Sequence, residues 1–241
     1  MYRKIYHHFD LLSLIVLSFS GLFIFLILIF SPPVTYEYFL FRKQIIGSVF
    51  GLVCILGMVA VLSPRECSRI FYCKEEYSSQ EKWVASNTSL ILGFKIVHGH
   101  HPFCEKFSSH EFRIKDKTFC TGCTGLLLGA SISLFGAFVY FSNNLYISSF
   151  FIGIGLLGAA LGLLLPLLNL QRTILRLSLN AFFIFGVFLM LIGIDNLVQS
   201  VFIDLLLILF SIFWLFTRIS LSKWNHQRIC DECRNKCEFK K

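Results

Sequence analysis

Charge is what this 241-residue chain has least of: 15% of its residues are charged and 56% are hydrophobic. A soluble domain with that balance would leave too much apolar surface in water, so an ordinary soluble globular protein is excluded. The net charge of +8 comes with no basic recognition helix and no aromatic platform, which sets nucleic acid aside as a partner. There is no P-loop, no dinucleotide fingerprint, no serine nucleophile elbow and no His-Glu-x-x-His motif. Enzymes built on those devices are excluded with them. Low-complexity segments and convincing internal repeats are also absent.

Apolar runs are what the chain has in quantity. A helix needs about 20 apolar residues to cross roughly 30 Å of hydrocarbon. Six runs meet that requirement: residues 11–30, 45–62, 119–141, 145–168, 177–197 and 201–217. The first is longer than the apolar core of a secretory signal and has no small-x-small cleavage site after it, so it reads as an uncleaved span. Asp10 marks its start, and Ser31-Pro32-Pro33 ends it, because proline cannot continue a helix. Only Ser142-Asn143-Asn144 join the third and fourth runs, which predicts an antiparallel helical hairpin. The expected fold is an all-α membrane protein: a six-helix transmembrane domain over 1–219, a Cys/His loop at 63–118 and a Cys-rich tail at 220–241.

The basic residues predict an orientation. With six spans and the N-terminus inside, 20 of the 22 Lys and Arg residues fall on one side, and only Arg42 and Lys43 fall on the other. That asymmetry predicts cytoplasmic termini and a cytoplasmic Cys/His loop in a multi-pass protein of the cell membrane. Residues 83–97 are apolar in part but short, and carry Ser86, Asn87, Thr88, Ser89 and Lys95. They are expected as an interfacial or re-entrant helix, not a seventh span. Small residues recur every four positions at Gly125, Gly129 and Ser133, at Gly158 and Gly162, and at Gly47 and Gly51. That spacing predicts faces where helix backbones approach closely.

Cysteines in a cytoplasmic setting stay reduced, so clustered ones point to metal ligation or redox chemistry before structural disulfides. Cys104, His110, Cys120 and Cys123 follow the spacing C-x5-H-x9-C-x2-C, and the last pair stands at i and i+3 of a helix start. Four nitrogen and sulfur ligands suit tetrahedral zinc. His98, His100 and His101 compete for the histidine place. A second set, His226, Cys230, Cys233 and Cys237, stands in a tail too short and charged to build its own core. A bound ion would supply its folding energy. Its spacing does not fit the ferredoxin pattern, so an iron–sulfur cluster is the poorer match. The two sets form separate sites or, being expected at one membrane face, a shared one. Cys67 and Cys73 have no clear partner, and Cys54 reads as an inert packing residue.

Other readings stand beside zinc. Cys120-Thr-Gly-Cys123 opens a helix whose N-terminus stabilises thiolate, as a membrane thiol oxidoreductase would require. Asn169, Gln171, Arg172 and Arg176 follow Pro166 at the expected inner face and suit an anionic lipid head group or a phosphate. Glu105 and Glu111 flank the ligands and would serve a membrane metalloenzyme acting on a lipid or anionic substrate. Asp195 and Asp204 flank the last outer turn and read as solvated loop residues, an ion path being the alternative.

The run Cys120-Thr-Gly-Cys123-Thr-Gly-Leu-Leu-Leu-Gly129, preceded by His-His-Pro-x-Cys and Phe-x-x-His, resembles a family of small prokaryotic integral membrane proteins of unknown function. The likeness covers roughly residues 98 to 190. It implies Cys104, His110, Cys120, Cys123 and Gly125 as motif positions. The chain departs from many members in having Gly122 where arginine commonly precedes the second cysteine, and in lacking an adjacent Cys-His pair. The resemblance implies an architecture and no reaction.

Overall fold

A computed structural model describes the backbone of residues 2–33, 41–62, 88–91, 94–97, 105–115, 117–143, 145–168 and 170–233. Six helices among them are long and apolar enough to cross a membrane. They are α1 (Tyr2–Phe30), α2 (Arg42–Leu62), α3 (Thr121–Ser142), α4 (Phe150–Leu164, extended as a span to Leu167 by the 3-10 turn Leu165–Leu167), α5 (Thr173–Val198) and α6 (Val201–Cys233). Their outward faces carry exposed large apolar side chains, such as Phe135 at 72% and Ile174 at 80%. Faces of that kind belong against lipid, and the chain is a multi-pass membrane protein.

Helix α5 is the centre of the packing, with α3 on one side and α4 on the other. Glycine decides both contacts. A Cβ on Gly129 would stand 2.4 Å from the Ala181 carbonyl oxygen, and one on Gly155 would stand 2.5 Å from the Gly186 carbonyl oxygen. Only a bare backbone allows such approach, and in lipid it is close packing that holds helices together. The expected glycine faces on α3 and α4 are therefore helix contacts.

The contacts also give direction. Gly125 lies on Asn180 and Gly136 on Phe188, so α3 and α5 run parallel. Gly162 lies on Phe183 and Gly193 on Ile152, so α4 runs against α5. Gly47 meets Phe141 while Met58 meets Ser131, so α2 runs against α3. Helix α1 runs against α6: the Ser18 hydroxyl donates to Thr217 Oγ1 at 2.9 Å, and Gly21 faces the Phe210 ring. The Trp214 indole N–H donates to the Ser18 carbonyl at 3.1 Å, which leaves this buried polar clip satisfied.

Four expectations are corrected. Residues 83–97 do not form a helix over their described part: β1 (Thr88–Ile91) and β2 (Phe94–Val97) pair antiparallel. Each segment has only four residues, too short for a stable helix on its own. A second hairpin, β3 (Glu111–Ile114) with β4 (Lys117–Cys120), runs directly into α3. The third and fourth helices run antiparallel as expected, since α3 runs with α5 and α4 against it, but the link between them is longer than three residues. Residues 145–149 lie outside the helix that begins at Phe150, and α5 stands between α3 and α4. The final helix does not stop near residue 217. It continues to Cys233, 33 residues or about 50 Å at 1.5 Å per residue, well beyond the hydrocarbon thickness. Asp195 and Asp204 are the fourth correction, since both are fully buried.

Candidate functional site

Parallel α3 and α5, with α6 running back, bring polar residues from distant parts of the chain to one end of the bundle. A cavity of about 120 Å³ lies there, lined by His110, Cys120, Cys123, Arg176, Asn180, Arg218, Lys223 and His226 among others. Each element has a reason to deliver its residue. The short 3-10 turn Glu105–His110 is tied to α3 because the Thr121 hydroxyl donates to the His110 carbonyl at 3.0 Å. Strand β4 ends at Cys120, which occupies the N-cap position of α3 in extended conformation (φ −79, ψ 124) with no side-chain cap bond. The sulfur is thereby left to the cavity wall, and Cys123 follows in the first turn. The first amides of α3, which have no intrahelical acceptor, open at the same place.

Two buried arginines dominate the electrostatics. Arg176, on the first turn of α5, is 7% exposed; Arg218, on α6, is also 7% exposed. One Arg176 nitrogen contacts His110 Nε2, and another donates to the Leu170 carbonyl at 3.3 Å. Arg218 lies over the Phe183 ring at 5.4 Å, a cation–π contact that covers one face of the guanidinium. The Nε of each arginine has no hydrogen-bond partner among the described residues, and neither has Asn180 Oδ1. The Asn180 amide donates to the Arg176 carbonyl at 2.7 Å. Among the described residues no Asp or Glu lines the cavity.

The expected metal ligands fall into two groups. His110, Cys120, Cys123 and His226 line this one cavity, and the His110 and His226 rings stand 5.1 Å apart between centroids. His110 of the loop set and His226 of the tail set thus meet. Cys120, Cys123 and the core residue Cys54 form no disulfide among the described residues. Among the described residues, no three His, Cys, Asp or Glu side chains are grouped so as to hold a metal ion. Cys104, Cys237, His98, His100 and His101 lie outside the described residues, as do the side chains of Cys230 and Cys233. Along the backbone of α6, His226, Cys230 and Cys233 fall at i, i+4 and i+7.

The expected head-group patch is divided. Gln171 and Arg172 are exposed, Arg176 is buried in the cavity, and Asn169 lies outside the described residues. Sequence reasoning missed Arg218 and Asn180. A basic residue at the end of a span reads as an anchor, and an asparagine within one has no signature of its own.

The opposite end holds a second polar cluster. Arg42 Nη1 donates to Asp195 Oδ1 at 2.5 Å and to Asp204 Oδ2 at 3.1 Å. The Tyr140 hydroxyl donates to Asp195 Oδ2 at 2.7 Å. Both carboxylates are 0% exposed, because Gln199, left-handed at φ 55, and Ser200 turn the chain sharply and fold α6 back onto α5. The pair expected as solvated loop residues is instead an internal clamp on Arg42, which is itself a helix residue and not an outer-loop charge.

Comparison of this chain with protein-family models, with curated proteins and with solved structures found no match.

Proposed function

We propose that the working part of this protein is the cavity at the Cys/His end, and that it binds an oxyanion, a phosphate group carried by a lipid or free in solution. One observation carries the reading: Arg176 and Arg218 are both buried on the same cavity, each with an Nε that has no hydrogen-bond partner among the described residues. Buried cations are costly unless an opposite charge and acceptors meet them. A phosphate supplies both, since arginine matches its oxygens geometrically. The first amides of α3 add donors and a partial positive charge. The cavity, about 120 Å³, is well below the roughly 300–1,000 Å³ of small-molecule pockets, so it suits a phosphate group and not a nucleotide or a whole lipid. The distribution of basic residues supports a cytoplasmic position for this end in the cell membrane.

A second reading, zinc shared by the two Cys/His clusters, is favoured by the convergence of His110 and His226 beside Cys120 and Cys123. It stands second because a divalent cation would sit among Arg176, Arg218 and Lys223.

The test uses full-length protein, delipidated in a phosphate-free maltoside detergent and titrated with inorganic phosphate in one series and with phosphatidylglycerol in another. Saturable binding in the first series alone assigns free phosphate, and in the second alone a lipid head group. A hydrogen bond to a charged group contributes about 1.5–3 kcal/mol. Arg176→Gln or Arg218→Gln is therefore expected to weaken binding at least about tenfold. Arg172→Gln, on the exposed patch, should leave it unchanged. No saturable binding in either series overturns the reading. Elemental analysis of the same preparations decides the zinc alternative: stoichiometric zinc, lost in Cys120→Ser/Cys123→Ser, would move the assignment to it.

A further inference from the structure

The second polar cluster lies far from the cavity. Arg176 and Asp195 are both on α5, nineteen residues apart, or about 28 Å at 1.5 Å per residue. The cluster draws on four helices: Arg42 and Lys43 from α2, Tyr140 from α3, Asp195 from α5 and Asp204 from α6. Its hydrogen bonds can be counted. Asp195 has both oxygens occupied, Oδ1 by Arg42 and Oδ2 by Tyr140. Asp204 has Oδ2 occupied by Arg42, while Oδ1 has no partner among the described residues although the side chain is fully buried. Lys43 does not correct the imbalance, because its ammonium stands over the Tyr140 ring at 5.0 Å. The Tyr140 hydroxyl is a donor here and neutral. Two carboxylates therefore face one guanidinium.

With both carboxyls ionised, one guanidinium bonds both, the Lys43 ammonium bonds neither, and Asp204 Oδ1 stays buried with no donor among the described residues. Like charges that share a site do not both ionise readily. A proton on Asp204 relieves the repulsion between the two carboxylates and supplies the unpartnered oxygen with a hydrogen. The two carboxyl groups are close neighbours, since Asp195 Oδ1 and Asp204 Oδ2 lie 2.5 and 3.1 Å from the same Arg42 nitrogen.

We propose that Asp204 is a proton-binding site, taking up and releasing one proton at the end of the bundle opposite the cavity. With the proton bound, Arg42 and Asp195 form a one-to-one pair and Asp204 is a neutral neighbour. When the proton leaves, Asp204 competes with Asp195 for the same Arg42 nitrogen, so occupancy alters the tie that Arg42 makes from α2 to α5 and α6. Ionisable residues enclosed in a membrane bundle serve proton relays in this manner. The inference is independent of what the cavity binds.

The experiment is infrared difference spectroscopy on the full-length protein in lipid, recorded while pH is stepped. A carbonyl stretch of a protonated carboxyl is expected, sensitive to deuterium exchange and lost reversibly as pH rises. Asp204→Asn should remove the band, and Asp204→Glu should displace it. The wild-type titration stands alone if a variant fails to fold. Absence of the band at every pH at which the helices persist would overturn the proposal. So would a band unchanged in Asp204→Asn, or one abolished by sodium at constant pH, which would make this a metal-cation site.

Discussion

Arg42 shows how little the position of a charged residue says about its surroundings. It stands next to an apolar run, where basic residues usually face water and head groups, yet it is 8% exposed and held by two carboxylates. Removing one partner of such a group strands the other as a buried charge, at a cost of about 3–5 kcal/mol. Arg42→Gln is therefore expected to lower the thermal unfolding midpoint in detergent sharply. Arg42→Gln/Asp195→Asn should recover most of the loss, because the double variant leaves less uncompensated charge. A double variant no more stable than Arg42→Gln would argue against the clamp. Residue type did locate part of the cavity: Cys120, Cys123, His110 and His226 were legible because thiols and imidazoles cluster for few reasons. Arg218, Asn180 and Tyr140 were not legible, since each matters through a partner far away in the chain.

Among the elements, α5 carries the most structural consequence. Its two long contacts depend on glycines that leave room for backbone against backbone. Gly129→Leu would drive a side chain into the Ala181 backbone, whereas a Cβ on Gly57 or Gly153 would meet nothing within 4 Å. Forcing atoms into a packed contact costs about 1–3 kcal/mol and sometimes more. Gly129→Leu should therefore reduce the yield of monodisperse protein on size exclusion and lower its unfolding temperature, while Gly57→Leu and Gly153→Leu behave as wild type. Equal loss in all three would show that the spacing of small residues is incidental. The small-residue spacing marked these contacts in advance, but not their partners. Apolar content over residues 83–97 suggests a helix because that window is wider than either strand of the β1–β2 pair.

The whole molecule separates two polar ends by an apolar middle. Eight of the nine cysteines fall in the loop, the start of α3 or the tail, and the remaining one, Cys54, is buried within α2. With that end in the cytoplasm, wild-type protein in intact cells should not react with a membrane-impermeant thiol reagent. Tyr146→Cys, at a position 86% exposed in the link between α3 and α4, should react from outside. Gln171→Cys should give no signal until the cells are permeabilised. Labelling of the wild type in intact cells would reverse the orientation and place the cavity outside.

The linear chain by itself determined that six segments are apolar enough to form membrane-spanning helices, and roughly where each lies. This follows from a local sum, hydropathy over about 20 residues. Only the tertiary structure decided that α3 lies parallel to α5 with α4 beyond it, that Arg176 and Arg218 share a cavity, and that one arginine stands between two aspartates. Those outcomes depend on which backbones can approach within contact distance. Glycine, ring and carbonyl must meet across helices for that, and no window along the chain contains them together.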